Sequence, residues 1–197
     1  MLEFVIENEE KVNGNTVICG VDEAGRGCLC GSVYAAAVIL PNDFYHPDLN
    51  DSKKLSPKKR DLLFDYITEN AVSYSIAFAT VEEIEKINIL NAAMLAMNRA
   101  VNGLDKKVDL ALIDGNIARG FECKTRTVVK GDSISPSIAA ASILAKVARD
   151  RYVCELADKY PVYQFEKHKG YATRAHMDAI REFGPCEIHR PSFLKKI

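Results

Sequence analysis

The hydrophobic pattern of the first part of the chain predicts two neighbouring strands, then a helix and a third strand. Residues 16–21 and 33–40 are apolar or β-branched runs separated by a glycine-rich connection, which is typical of two buried strands that begin like a hairpin. Ser56-Pro57 begins a helix, with serine as the N-cap and proline in the first turn. The alternation of apolar and polar residues over 72–79 predicts the third strand.

Helical spacing dominates the rest of the chain. Apolar residues recur every three or four positions from Val81 to Gly103, which predicts one core-facing helix that ends at the glycine. The later predicted elements are two short strands and two helices, over residues 110–113, 127–129, 137–160 and 173–183. This order indicates an α/β protein with a mixed sheet of about five strands flanked by helices.

Composition fits one compact domain, or a domain with a small appendage. The chain has 197 residues, 48% hydrophobic and 27% charged. It contains no uninterrupted apolar run of membrane-spanning length, and residues 1–11 are acidic rather than a basic leader. None of the six cysteines forms a Cys-x-x-Cys pair, so we expect reduced thiols rather than zinc ligands or disulfides. These features together predict a cytoplasmic protein.

The charge pattern is more informative than the total. A formal net charge of −1 argues against a protein that coats nucleic acid by bulk electrostatics. Basic residues nevertheless form one block that includes Lys53 and Lys54, and another from Lys167 to the C-terminus. Each block taken alone is typical of a solvated surface. Beside an acidic site, however, the two blocks favour binding to nucleic acid.

Acidic residues follow three of the predicted strands. Asp22 and Glu23 end the first strand, Asp114 ends the strand over 110–113, and Asp132 follows the strand over 127–129. Each aspartate taken singly is also an ordinary turn or cap residue. Together, however, they predict carboxylates that converge on one edge of the sheet, where their repulsion requires a cation. Oxygen ligands without nearby histidine or cysteine favour Mg²⁺ or Mn²⁺ over zinc.

The adjacent acids pose a geometric problem, because neighbouring side chains of a regular strand point to opposite faces. We therefore expect the strand to break at Asp22-Glu23, with Glu23 offering its carbonyl as well as, or instead of, its carboxylate. Gly25-Arg26-Gly27 follows at once and supplies the necessary backbone freedom. Its exposed N–H groups and the Arg26 guanidinium suit a phosphate backbone.

Seven short blocks, in this order, resemble the successive signatures of the ribonuclease HII family and cover nearly the whole chain. The blocks are Asp22-Glu23-Ala24-Gly25-Arg26-Gly27, Asp51-Ser52-Lys53-Lys54-Leu55-Ser56, Asp114-Gly115, Lys130-Gly131-Asp132, Ala139-Ala140-Ala141-Ser142-Ile143-Leu144-Ala145-Lys146, His168-Lys169-Gly170-Tyr171 and Ile188-His189-Arg190-Pro191-Ser192-Phe193.

The resemblance implies a ribonuclease H-like catalytic domain over residues 1–160 and a small helical substrate-binding region over 161–197. It implies that the catalytic, metal-binding acids, which would hold two Mg²⁺ or Mn²⁺ ions, are Asp22, Glu23, Asp114 and Asp132. It further implies that the substrate-binding residues are Gly25, Arg26, Gly27, Lys53, Lys54 and Tyr171. Within this set the Gly25-Arg26-Gly27 turn would read the ribose 2′-hydroxyl and the adjacent phosphate. Tyr171 would pack on the deoxyribose 3′ to the cut.

The implied activity is hydrolysis of the RNA strand of RNA–DNA hybrids and cutting 5′ of single ribonucleotides in duplex DNA, by a monomer. An attacking external water would leave a 5′-phosphate and a 3′-hydroxyl. The departures from the family pattern are at Cys28, Cys30, Ser32 and Ala172, which bear on the fit of the substrate loop. Two alternatives stay open: a nucleic-acid-binding module without catalysis, and a nuclease of the same fold that cuts DNA junctions.

Overall fold

The computed structural model describes residues 2–195, which form a mixed five-stranded sheet with helices on both faces. The strands lie in the order β3-β2-β1-β4-β5, with bounds Ile18–Ala24 (β1), Val33–Ile39 (β2), Ser73–Ala79 (β3), Leu110–Asp114 (β4) and Lys124–Val128 (β5). The first three strands are antiparallel, whereas β4 runs parallel to β1 and β5 runs parallel to β4. The predicted fold class is therefore confirmed.

Seven α-helices surround the sheet within the described residues. Their bounds are Val5–Val12 (α1), Pro57–Asn70 (α2), Val81–Asn102 (α3), Pro136–Lys159 (α4), Phe165–His168 (α5), Arg174–Phe183 (α6) and Pro191–Leu194 (α7). Ser56 caps α2 through a bond from the Lys59 N–H, as its sequence predicts. Thr80 and Glu83 form a capping box at the start of α3. No helix within residues 2–195 is long and apolar enough to cross a membrane.

The two faces of the sheet bury separate cores. Helix α3 packs on one face, where its alanines and methionines meet the small side chains of β1, β2 and β4. Helix α4 packs on the other face together with α2, and its central alanines allow close approach to β1 and β2. Because α4 crosses behind β1, its polar residues reach the edge of the sheet where β1 and β4 end.

A third hydrophobic cluster joins the C-terminal helices to the loop after β1. Leu29 and Cys30 from that loop pack with Val153 of α4, Phe165 of α5 and Ile180 of α6. The backbone also connects these segments, since the N–H of Leu29 donates to Gly170 and the N–H of Gly31 donates to Ile188. The C-terminal residues thus lie directly against the loop that carries Gly25-Arg26-Gly27.

Several predicted bounds were wrong in detail. Strand β1 begins at Ile18 rather than residue 16 and runs on to Ala24, and β5 occupies Lys124–Val128 rather than 127–129. Helix α3 is interrupted at Asn88, whose φ of 65° lies outside the helical region. The Asn88 side chain accepts the N–H of Asn91 and so caps the second segment.

The sequence pattern also missed α1, which is short and mostly charged. Its attachment is polar: the buried Glu7 carboxylate accepts a bond from the Ser135 hydroxyl (2.5 Å) and one from the Ser137 N–H (3.3 Å). Both serines lie at the N-terminal end of α4, where a negative charge is favourable.

Candidate active site

The strand-end acids meet at one edge of the sheet. The last paired residues of the parallel strands β1 and β4 are Val21 and Ile113, so Asp22 and Asp114 follow side by side. Asp132 lies in a 3-10 turn, Gly131–Ser133, that follows β5. The N–H of Gly131 donates to Oδ1 of Asp114 at 2.7 Å, which ties this turn to the end of β4. Three strand ends thus bring their carboxylates to the same edge of the sheet.

The predicted break at Asp22-Glu23 is wrong. Strand β1 stays paired with β2 through Asp22, Glu23 and Ala24. The pairing with β4 stops at Val21, however, so this side of β1 is open beyond that residue. An unpaired strand side leaves room for the longer glutamate to reach the same cleft as Asp22, although the two side chains leave opposite faces of the strand.

Burial and mutual repulsion raise the pKa values of three of these acids. Asp22 is 4% exposed, and burial raises its pKa well above the ordinary value, with the charges of Glu23 and Asp114 adding to the effect. Burial likewise raises the pKa of Glu23, which the Arg26 guanidinium partly offsets. Burial also raises the pKa of Asp114, with the charge of Asp132 adding to it. A partly desolvated cluster of this kind favours binding of a cation.

Two of the acids are turned towards basic side chains. Oε1 of Glu23 lies 3.0 Å from the Arg26 guanidinium, and Oδ2 of Asp132 lies 3.2 Å from the Lys53 ammonium. As placed, no three His, Cys, Asp or Glu side chains of residues 2–195 converge on one metal position. The donor set still fits a hard divalent cation: all four groups are carboxylates, their pKa values are raised where a shift is resolved, and protein cations stand against two of them.

The acids open into a cavity of about 200 Å³. It is lined by Asp22, Glu23, Ala24, Gly25, Arg26, Ser52, Lys53, Asp114, Ser142, Lys146 and Tyr171. The cavity therefore contains most of the predicted site residues from separate parts of the chain. Gly27, Lys54 and Asp132 lie outside this lining, although Lys53 connects Asp132 to it.

The two glycines of the Gly25-Arg26-Gly27 turn have different surroundings. Gly25 has a φ of +96°, and a Cβ there would lie 2.0 Å from Nε of Arg149, so the protein itself requires glycine. A Cβ at Gly27 would meet nothing within 4 Å. Gly27 is itself exposed, as is Arg26 beside it, so this part of the turn leaves space for a molecule that approaches from outside.

Tyr171 stands at the rim of the cavity and is 41% exposed. Its ring centre lies 5.1 Å from the Lys146 ammonium and 6.0 Å from the Arg149 guanidinium. Both cations lie within the distance of about 6 Å at which a cation attracts the face of an aromatic ring. The ring is thus an exposed aromatic surface beside the acids, rather than a core residue.

The family departures fall mainly in the packed interior. Cys28, Cys30 and Ser32 are buried beneath the turn, whereas Ala172 is exposed next to Tyr171. The six cysteines of the chain all lie within the described residues and are free thiols. Burial raises the pKa of Cys28 and raises that of Cys30 to about 12, which favours the neutral thiol as a packing group.

Sequence reasoning gave no role to three residues of α4 that serve this site. Ser142 lines the cavity and shares a hydrogen bond with the Ser52 hydroxyl (2.8 Å), Lys146 also lines the cavity, and Arg149 supports the turn. Their spacing of four and three residues puts them on one helical face. Polar side chains among the buried alanines in the first half of α4 were the signal that could have revealed Ser142 and Lys146.

The comparisons with known proteins agree with this architecture. The family model for ribonuclease HII matches residues 19–196. A ribonuclease HII of Caldicellulosiruptor bescii is 50% identical over 197 residues, covering 99% of this chain and 96% of its own. Among solved structures, the ribonuclease H2 from Pyrococcus horikoshii OT3 gives a TM-score of 0.75 at 24% identity, covering 92% of this chain and 96% of its own. Bst-RNase HIII in complex with Mn²⁺ gives 0.64 at 17% identity, covering 86% and 63%.

Proposed function

Because this chain belongs to the ribonuclease HII family, we propose that it cuts duplex DNA on the 5′ side of a single embedded ribonucleotide, as well as the RNA strand of long hybrids. It is a ribonuclease H, a hydrolase that acts on RNA–DNA hybrids.

The observation that carries the proposal is the shared cavity. The carboxylates of Asp22, Glu23 and Asp114 lie in one cleft with the Gly25-Arg26 turn and the Tyr171 ring. Acids alone suit many nucleases. Acids flanked by a backbone turn open to solvent on one side and an exposed aromatic ring on the other suit an enzyme that inspects the sugars around the bond it cuts.

The charged residues of the site would bind the metal ions and the phosphates. Asp22, Glu23, Asp114 and Asp132 would hold two divalent cations, Mg²⁺ or Mn²⁺. When bound, such cations activate the attacking water and neutralise charge on the phosphate. Arg26 would bind a phosphate beside the scissile bond once Glu23 turns from it towards the cation. Lys53 and the exposed Lys54 would meet phosphates farther along the duplex.

Specificity would come from contacts with the two sugars. The 2′-hydroxyl is the feature that separates RNA from DNA at the cut, and N–H groups of the Gly25-Arg26-Gly27 turn would bond to it. The Tyr171 ring would pack on the deoxyribose of the next nucleotide, where an added hydroxyl would lose hydration without gaining a partner. Products would carry a 5′-phosphate and a 3′-hydroxyl.

We further propose a catalytic domain over residues 1–160 and a substrate-binding region over 161–197. The packing of Phe165 and Ile180 against Leu29 and Cys30 supports this division of labour, since it positions Tyr171 beside the acids. We also propose that a monomer suffices, because one chain supplies three of the four acids, Gly25 and Arg26 of the turn, and Tyr171 to a single cavity.

The deciding experiment uses three end-labelled duplexes: all DNA, DNA with one ribonucleotide, and a continuous RNA–DNA hybrid, each with and without Mg²⁺ or Mn²⁺. We expect metal-dependent cleavage of the second and third, with the single cut 5′ of the ribonucleotide. Binding without cleavage would favour a non-catalytic module. Cleavage of branched all-DNA substrates in preference to the ribonucleotide duplex would favour a junction nuclease.

A further inference from the structure

A buried cation without a close carboxylate partner lies behind the candidate site. The Arg149 side chain is fully buried on α4, and the carboxylate of the adjacent Asp150 is 4.0 Å from it. Its guanidinium instead donates to two backbone carbonyls, those of Lys169 at 2.9 Å and Cys30 at 3.3 Å. Within the described residues, Nε of Arg149 has no partner. Burying a cation in this way is unfavourable for stability, so its retention needs another reason.

The two bonded carbonyls belong to the two segments that flank the cavity. Cys30 follows the Gly25-Arg26-Gly27 turn, and Lys169 precedes Tyr171 by two residues. The N–H of Leu29 also donates to the carbonyl of Gly170 at 2.8 Å, so the two segments touch directly as well. Arg149 is therefore a bridge between the turn and the tyrosine loop.

Glycines stand on both sides of the guanidinium. A Cβ at Gly25 would lie 2.0 Å from Nε of Arg149, and a Cβ at Gly170 would lie 3.4 Å from its Nη2. The guanidinium thus occupies the space that Gly25 leaves by lacking a side chain, whereas at Gly170 a Cβ would first meet Sγ of Cys30 at 2.6 Å, so Arg149 and Cys30 together fill the space between the two glycines. Its centre is also 6.0 Å from the ring centre of Tyr171.

We propose that Arg149 is a positioning residue that holds the Gly25-Arg26-Gly27 turn and Tyr171 at a fixed separation, so that the sugars on the two sides of the cut are read as one unit. This role rests on the proposed function and gives the structural reason for the specificity that the function requires. A planar guanidinium can donate to two carbonyls in fixed directions at once, whereas a lysine ammonium on a flexible stem cannot hold both.

The second buried arginine provides a matched control. Arg190 is also fully buried and donates to carbonyls of Arg26, Cys28 and Gly31, but its bonds do not extend to residues 169–171. Arg190→Lys should therefore disturb the turn and lower stability without acting through Tyr171.

The test is a double-mutant cycle on cleavage rates at a single ribonucleotide and within continuous RNA. We expect Arg149→Lys to lower the ratio of these two rates at least about threefold, and to change it less than about twofold in a Tyr171→Ala background, because the two residues act through one arrangement. Arg190→Lys combined with Tyr171→Ala should give the product of the single effects. Arg149→Met, which keeps an unbranched stem without burying a charge, is the second variant if Arg149→Lys does not fold.

The outcomes distinguish the positioning role from the proposed function. Wild-type protein that does not cut at a ribonucleotide would overturn the proposed function itself. Wild-type cleavage with independent effects of Arg149→Lys and Tyr171→Ala, or an unchanged ratio in folded Arg149→Lys and Arg149→Met, would overturn the positioning role alone.

Discussion

The ammonium of Lys53 lies 3.2 Å from Oδ2 of Asp132, an ion pair between an exposed side chain and a buried one. The Lys53 side chain is 76% exposed and the Asp132 side chain is 6% exposed, so a lysine that extends from the solvent contacts a buried acid. The exposed Lys53 ammonium both screens the charge of Asp132 and remains accessible to a phosphate.

We predict that Lys53→Ala weakens duplex binding by about the same factor for every sequence and reduces the salt dependence by roughly one unit of slope for each phosphate that the variant no longer binds. The same variant should reach half-maximal activity at a lower Mg²⁺ concentration, because Asp132 no longer has a competing cation. Lys54→Ala, at the exposed neighbour outside the cavity lining, is the control and should leave the Mg²⁺ requirement unchanged. Salt and Mg²⁺ titrations measure both effects. Identical curves for Lys53→Ala and wild type would show that Lys53 is an ordinary solvated surface residue.

Asp22→Asn and Asp114→Asn should each lower cleavage by orders of magnitude while leaving the fold intact, since a neutral amide binds a hard cation poorly. Asp178→Asn, at an exposed acid of α6, is the control. Cleavage rates are measured beside thermal unfolding curves. Activity within about tenfold of wild type in either cavity variant would show that the substituted residue is not a metal ligand.

Tyr171→Ala should reduce cleavage at a single ribonucleotide more than cleavage within continuous RNA, because under the proposed function the ring would contact the sugar that differs between the two substrates. Tyr171→Phe keeps the ring and should preserve the ratio of the two rates. If both variants change the two rates in parallel, Tyr171 does not read the junction.

Asp22 and Asp114 could be predicted as strand-end acids because each follows an apolar run, and apolar runs define strands well. Asp132 follows β5, which is Lys-Thr-Arg-Thr-Val, so only the short Val128-Val129 pair indicated its strand. That Asp22 and Asp114 lie side by side depends on parallel pairing of β1 with β4, two strands that are far apart along the chain. The continuation of β1 through Glu23 was missed for a related reason. The predicted break rested on the opposite directions of adjacent strand side chains, whereas β1 stays paired with β2 through Ala24 and only its β4 side is open beyond Val21.

The residues that hold the surrounding structure in place were harder to predict from sequence than the acids of the site. Arg149 bonds to backbone carbonyls, and a bond to a carbonyl leaves no trace in the identity of the residue that supplies it. Helix α1 was missed because its anchor, Glu7, resembles any surface glutamate in sequence. Such contacts are set by tertiary packing, so local patterns do not specify them.

We predict that Glu7→Ala lowers the free energy of unfolding by about 1–2 kcal/mol, because the Ser135 hydroxyl and the Ser137 N–H lose their shared acceptor in a buried place. Glu7→Gln keeps an oxygen acceptor and should cost less. Urea unfolding measures the difference. The ratio of cleavage rates on the two substrates should stay at the wild-type value, since α1 lies outside the cavity lining.

Buried histidines connect stability to pH. The N–H of Cys186 donates to Nδ1 of His189, which leaves the proton on its Nε2 to donate to Nε2 of His176, 3.1 Å away. His176 in turn donates from Nδ1 to the carbonyl of Tyr171 at 3.0 Å. This chain of bonds requires both imidazoles to be neutral, so protonation of either ring would break it.

Burial lowers the pKa of His176 to about 4, with the nearby His168 and His189 adding to the effect. An imidazole in the unfolded chain titrates near pH 6.5, so as pH falls the unfolded state takes up the proton first. The contribution of His176 to stability is therefore complete above about pH 6.5 and is lost as pH falls towards 4, by roughly 3 kcal/mol in total. His176→Asn, whose amide can still donate to Tyr171, should flatten the pH dependence of the unfolding free energy between those values. Burial also lowers the pKa of His189, so that residue's share of the slope should remain in His176→Asn. Parallel urea unfolding curves across this range for wild type and His176→Asn would show that His176 is not held neutral by the fold.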